Sequence, residues 1–124
     1  MNNKTDPTSE NILKTKSFLF AVRIVKLYNL LRETKQEYVM SKQCMRSGTS
    51  VGAMVREAEY AASKADFIHK LTIAIKECNE ALYWLELLQE TDFIEKKLYV
   101  SLNTDAEEIL KLLTASIKTA KKNI

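Results

Sequence analysis

Residues 67–88 read FIHKLTIAIKECNEALYWLELL, and Phe67, Leu71, Ala74, Cys78, Ala81, Leu85 and Leu88 recur along them at alternating spacings of four and three. A helix of about 3.6 residues per turn gathers such positions on one side, whereas a strand would need alternation at every second residue. The stretch predicts a long helix with an apolar seam, widened by Ile68, Ile75, Leu82 and Trp84. Upstream, Ser63 precedes Asp66 by three residues, the spacing of a capping box, so this helix should start near Lys64. Downstream, Thr91 and Asp92 break the pattern. Asp92 with Glu95 reads as the start of another helix running to about Lys121, with Leu102, Ala106, Ile109, Leu113, Ser116 and Ala120 on its seam.

A second helix is expected from about Gln36 to Ala62, with Met40, Cys44, Ser47, Val51, Met54, Ala58 and Ala61 on a seam of mostly small residues. Gly48 and Gly52 sit one turn apart there. Each costs about 1 kcal/mol in helix propensity, which close approach of a neighbouring backbone must offset. From about Ser17 to Thr34 the main polar positions are Arg23, Lys26 and Asn29, and nearly everything else up to Leu31 is apolar. A helix of a monomeric bundle needs one apolar stripe. The surplus, drawn from Phe18, Phe20, Ile24, Leu27 and Leu31, would stay in water unless another chain covers it, so these five are the expected interface of a homo-oligomer.

Four helices of this length joined by short loops must be antiparallel neighbours, because a short loop cannot return the chain along a whole helix. The expected fold is all-α, an up-down-up-down antiparallel four-helix bundle over residues 17–121. A polar, mobile leader (residues 1–16, with Pro7) precedes it and a tail (residues 122–124) follows. A length of 124 residues suits one domain, and 2 Gly with 1 Pro are too few turn residues for a sandwich or barrel. The longest apolar run, Phe18 to Leu31, is interrupted by Arg23, Lys26 and Asn29 and falls short of the roughly 18 residues of a membrane span. No membrane partner is expected, no cleavage pattern of a secretory signal follows, and a cytoplasmic location is. Cys44 and Cys78, lacking CxxC spacing, read as buried small apolar residues.

The formal net charge is +3. Its distribution is segregated: Ser17 to Ser47 and Lys111 to Ile124 are basic, while Ala65 to Asp92 is acidic. Complementary packing of neighbouring helices would account for this. So would a basic face for the phosphates of RNA or DNA, using some of Arg23, Lys26, Arg32, Lys42, Arg46 and Arg56.

No catalytic or cofactor-binding constellation survives inspection, and neither a cofactor nor a metal is expected. Gly48-Thr49-Ser50-Val51-Gly52 matches the nucleophile elbow of α/β-hydrolases, but the elbow is a strained strand-to-helix turn, and these residues lie in a helical pattern. A di-iron bundle needs two Glu-x-x-His motifs, and the chain has a single histidine, His69, three residues after Asp66. A phosphate loop needs Lys after its second glycine, where Ala53 stands. In an antiparallel pair turning near Ser63 and Lys64, equal rise per residue sets Arg46 opposite Ala81. Glu77 and Glu80 then lie within about a turn of Arg46, close enough for an interhelix ion pair.

The run Met45-Arg46-Ser47-Gly48-Thr49-Ser50-Val51-Gly52-Ala53 continues through Arg56-Glu57-Ala58 and Ser63-Lys64-Ala65-Asp66-Phe67-Ile68 to Ala74, Glu77, Glu80 and Tyr83-Trp84-Leu85. Taken together these residues resemble the bacterial four helix bundle protein family. That family includes proteins encoded in intervening sequences of large-subunit ribosomal RNA and is related to the accessory variability determinant of diversity-generating retroelements. The similarity covers about residues 17 to 121, and its most specific part is the pattern met by Arg46, Ser47, Ser50, Val51, Val55 and Glu57. Met54 stands where many members carry Asn. The resemblance implies a homopentamer with a central channel and, for the retroelement relatives, a basic surface that binds nucleic acid and a reverse transcriptase. Two readings follow: an oligomeric, non-enzymatic bundle that contacts RNA or DNA, or a scaffold for a protein partner without a nucleic-acid ligand.

Overall fold

A computed structural model describes residues 9–123 as four helices: α1 (Ser9–Lys35), α2 (Met40–Glu59), α3 (Lys64–Glu90) and α4 (Lys96–Lys122). Sequential helices pack side by side and α4 closes back on α1, giving the expected up-down-up-down four-helix bundle. The three longer helices, of 27 residues each, run about 40 Å, and the 20 residues of α2 about 30 Å. α2 is closely packed on both α1 and α3, whereas α1 and α4 form the loosest of the four seams.

The core is the set of heptad seams seen in the sequence. Leu71, Ala74, Cys78, Ala81, Leu85 and Leu88 of α3 are buried, as are Leu102, Ala106, Ile109 and Leu113 of α4. On α2 the buried stripe includes Cys44, Ser47, Gly48, Val51, Val55 and Ala58, with Val55 in the place expected for the half-buried Met54. Gly48 and Gly52 mark where α1 comes closest. A Cβ on Gly48 would lie 3.0 Å from both γ carbons of Ile24, and one on Gly52 would lie 3.3 Å from the backbone oxygen of Ser17.

Helix ends differ from expectation in three places. α1 begins at Ser9, inside the expected leader, because Leu13 falls on the same stripe as Ser17, Phe20, Ile24, Leu27 and Leu31 and is buried with them. Residues 1–8 of that leader lie outside the described residues. α2 begins at Met40 rather than near Gln36. Gln36 takes a left-handed φ of 51° that ends α1, and the carboxylate of Glu37 then caps α2, accepting from the backbone N–H of Val39 (3.1 Å), Met40 (3.0 Å) and Ser41 (2.7 Å). Burial pushes the pKa of Glu37 up, but these hydrogen bonds outweigh it and hold the carboxyl below its ordinary value.

Asp92 does not start α4; it ends α3. Its φ is 67°, its N–H donates to the Gln89 oxygen (3.1 Å) and the N–H of Phe93 donates to the Leu88 oxygen (2.9 Å), the two bonds of a Schellman motif. Aspartate tolerates the left-handed region better than most residues, which is why a residue read as an N-cap serves here as a stop. At α3 the capping expectation holds: Ser63 Oγ accepts from the Asp66 N–H at 3.0 Å, and the Asp66 carboxylate reaches back to the Ala62 N–H at 3.1 Å.

Candidate functional site

The heptad of α1 decides which of its apolar residues look outward. Phe20, Ile24, Leu27 and Leu31 occupy the buried stripe, so four of the five residues expected at a subunit interface are instead this chain's own core. Only Phe18 of that set is outside, 51% exposed. The surplus expected for α1 is nevertheless present on other residues: Leu19 is 55% exposed, Leu30 50% and Val25 38%. A count of apolar residues reveals an excess, but only the phase of the core stripe says which side carries it, and Leu13, which helps to define that stripe, lies before the expected start of the helix.

The outward residues fall on two flanks. Leu19 and Leu30 border the loose seam with α4. Leu19 lies beside Phe20, Lys16, Asp105 and Glu108, and Leu30 beside Lys26, Leu98 and Leu102 in a shallow groove of about 210 Å³. Across this seam Arg23 Nη1 is 2.6 Å from Asp105 Oδ2 and Arg23 Nη2 donates to Ser101 Oγ at 3.0 Å, while Lys16 Nζ lies 3.2 Å from Glu108 Oε1. Polar contacts thus hold α4 to α1 where apolar packing is thin. On the other flank Phe18 lies beside Ala21, Thr49, Gly52, Ala53 and Arg56, with the Arg56 guanidinium 5.3 Å from the centre of its ring.

The six candidate phosphate-binding cations are not equivalent. Arg23 is engaged with Asp105. Arg46 reaches Glu77 Oε1 at 3.2 Å and also bonds Glu80, whose carboxylate further accepts from Trp84 Nε1 at 3.0 Å. Hydrogen bonds from Arg46 and then Trp84 hold the Glu80 carboxyl below its ordinary pKa. Arg32 lies over the rings of Tyr28 and Tyr38 at 5.2 and 5.6 Å. Among the described residues Lys26, Arg32, Lys42 and Arg56 make no salt bridge, and all four are exposed.

Among the described residues no group of three or more His, Cys, Asp or Glu could hold a metal ion, and no helix is long and apolar enough to cross a membrane. Cys44 and Cys78 are buried, unpaired thiols. Burial pushes both up to about 12, with the charge of Glu107 adding at Cys78, so neither forms a reactive thiolate.

The family model described as 23S rRNA-intervening sequence protein matches residues 9–115. The chain belongs to this family. A crystal structure of a protein with unknown function from the S23 ribosomal protein family of Bacteroides thetaiotaomicron VPI-5482 is 57% identical, with a TM-score of 0.89 over 90% of this chain and 99% of that one. No curated protein matches. The residues of the most specific part of the family resemblance make contacts within this chain, at its surface and in its core. Arg46 ties α2 to Glu77 and Glu80 of α3, and Glu57 ties it to Lys70 at 3.2 Å. Ser47 and Ser50 return their hydroxyls to Gln43 and Arg46 carbonyls, and Val51 and Val55 fill the core. In this chain the pattern contributes ion pairs between α2 and α3 and two residues of the core.

Proposed function

We propose that the chain is a non-enzymatic bundle that assembles with copies of itself, the outer side of α1 being the assembly face and the pentamer implied by the family resemblance its state. The observation that carries this reading is the exposure of Phe18, Leu19, Val25 and Leu30 on one helix. A lone chain would leave them in water, and exposed apolar side chains gathered on one helix suit a surface that another chain covers. Leu19 and Leu30 flank the thinnest seam of the bundle, where a neighbour would add the packing that α4 does not supply. A cytoplasmic location accords with the two free thiols. Sedimentation velocity on the Leu19→Glu/Leu30→Glu variant tests the reading. Dissociation with helical content retained supports it, and an unchanged assembly refutes it.

A second reading rests on Lys26, Arg32, Lys42 and Arg56, cations held by no acid among the described residues. Such groups suit the phosphates of RNA or DNA. Four phosphate contacts would weaken duplex binding by roughly a hundredfold between 50 and 200 mM salt. Absence of binding at low salt, to single and double strands alike, leaves the assembly as a scaffold for a protein partner.

A further inference from the structure

Phe18, Val25 and Arg32 recur every seven residues along α1, and Lys42, Thr49 and Arg56 do the same along α2. Seven residues are close to two helical turns, so each trio forms one stripe. Phe18 lies beside Thr49 and Arg56, so the two stripes run together down the α1–α2 side of the bundle. At one end of this strip stand Arg32 and Lys42, both exposed and neither in a salt bridge among the described residues. Arg32 is also held in place. Its guanidinium lies 5.2 Å from the centre of the Tyr28 ring and 5.6 Å from that of Tyr38. A cation already fixed over two rings loses little side-chain freedom when it meets a partner.

The α3–α4 side carries the opposite charge. Glu86 and Glu90, one turn apart on α3, are exposed and make no salt bridge among the described residues, even with Lys96 and Lys97 at the start of α4. Their charge reaches Tyr99 of α4, whose pKa is raised first by burial and then by Glu86, Glu107 and Glu90, which sets both carboxylates toward α4. Tyr83, 57% exposed, stands about a turn from Glu86 on the same helix.

The two charged groups stand at one height. Ile24 faces Gly48, and Arg46 and Glu57 of α2 meet Glu77, Glu80 and Lys70 of α3, so Ile24, Gly48 and Cys78 are nearly level. α1 and α3 run in the same direction. Eight residues beyond that level α1 carries Arg32 and α3 carries Glu86, and Lys42 of the antiparallel α2 lies within about a turn of both. Arg56 stands at the far end of the strip and takes no part. In a closed ring whose axis runs along the bundle, each copy offers one side to the next and a different side to the previous one, and groups of equal height meet.

We propose that the copy covering α1 presents its α3–α4 side, with Arg32 and Lys42 of one protomer meeting Glu86 and Glu90 of the next in a head-to-tail ring. This match rests on the self-assembly proposed above and supplies its second surface. Tyr28, Tyr38 and Tyr83 give the joint the aromatic character common at protein interfaces.

Sedimentation velocity over a concentration series, with circular dichroism for helical content, tests the match on four proteins: the unmodified chain, Arg32→Glu/Lys42→Glu, Glu86→Arg/Glu90→Arg, and the chain carrying all four substitutions. All four side chains are exposed, so helical content should be retained. Each double variant sets like charges face to face and should raise the concentration at half-assembly about tenfold or more, whereas the fourfold variant restores opposite charges at every joint and should return it to within about threefold of the unmodified value. Undiminished assembly of Glu86→Arg/Glu90→Arg overturns the proposal and leaves self-assembly standing, as does a fourfold variant no stronger than the double ones. An unmodified chain that stays single at every concentration removes both.

Discussion

Replacing Gly48 by Ala sets two effects of opposite sign against each other. Alanine is worth about 1 kcal/mol over glycine inside a helix. Here the new Cβ would lie 3.0 Å from Cγ1 and Cγ2 of Ile24 and 3.3 Å from its Cβ. Ordinary carbon contacts are about 3.5 to 4.0 Å, so Ile24 must retreat by about half an ångström or more. It has little room: it is 1% exposed, and a β-branched side chain in a helix has one strongly preferred rotamer. The helices must separate instead, and overpacking of this kind costs about 1 to 3 kcal/mol. The net expectation is a loss of about 1 kcal/mol, within a range from none to about 2. The decisive comparison is the same substitution in an Ile24→Ala background. There the γ carbons are gone and only the 3.3 Å contact with Cβ remains, so Gly48→Ala should stabilise by most of the propensity gain of about 1 kcal/mol. Urea unfolding of the four variants at one protein concentration gives the coupling. If Gly48→Ala stabilises both backgrounds equally, the close approach of α1 to α2 is not what holds that glycine in place.

Asp92→Gly should raise stability by about 1 kcal/mol, because glycine takes the φ of 67° without the penalty an L side chain bears; thermal melting checks it, and a decrease would refute the Schellman reading. Glu37 contributes stability that is fully present above its unfolded value and lost as pH falls through its lower folded value. Urea unfolding of Glu37→Gln should therefore show a weaker loss than the parent as pH falls from about 5 into more acidic conditions; parallel curves would sink the capping role. Arg46→Met should cost less than about 1 kcal/mol, since Arg46 and Glu80 are both partly in water. It should also change Trp84 fluorescence, because the carboxylate that accepts from the indole loses its cation.

The fold was legible because three of the four seams repeat without interruption, and a periodic apolar stripe fixes both the element and its buried side. α3 is the clearest case, where Leu71 to Leu88 and the Ser63 cap were readable residue by residue. What escaped was set by backbone rather than by pattern. Glu37 caps α2 from outside the usual set of Ser, Thr, Asp and Asn, and Asp92 has the composition of a start signal but the φ of a stop. The proposed assembly face was legible only as an excess. Its residues changed from Phe20, Ile24, Leu27 and Leu31 to Leu19, Val25 and Leu30 once Leu13 and Ser17 set the phase of α1, with Phe18 retained. Equal rise per residue and a turn at Ser63 suffice to bring Arg46 near Glu77 and Glu80, and Arg46 meets both.

The proposed assembly requires that α1 be covered by another copy. Static light scattering of the unmodified chain, followed through serial dilution, reads this directly. The expected mass is several times the 14.2 kDa of one chain, about 71 kDa for a pentamer, held over a wide range of concentration. A mass of one chain at every concentration would contradict it.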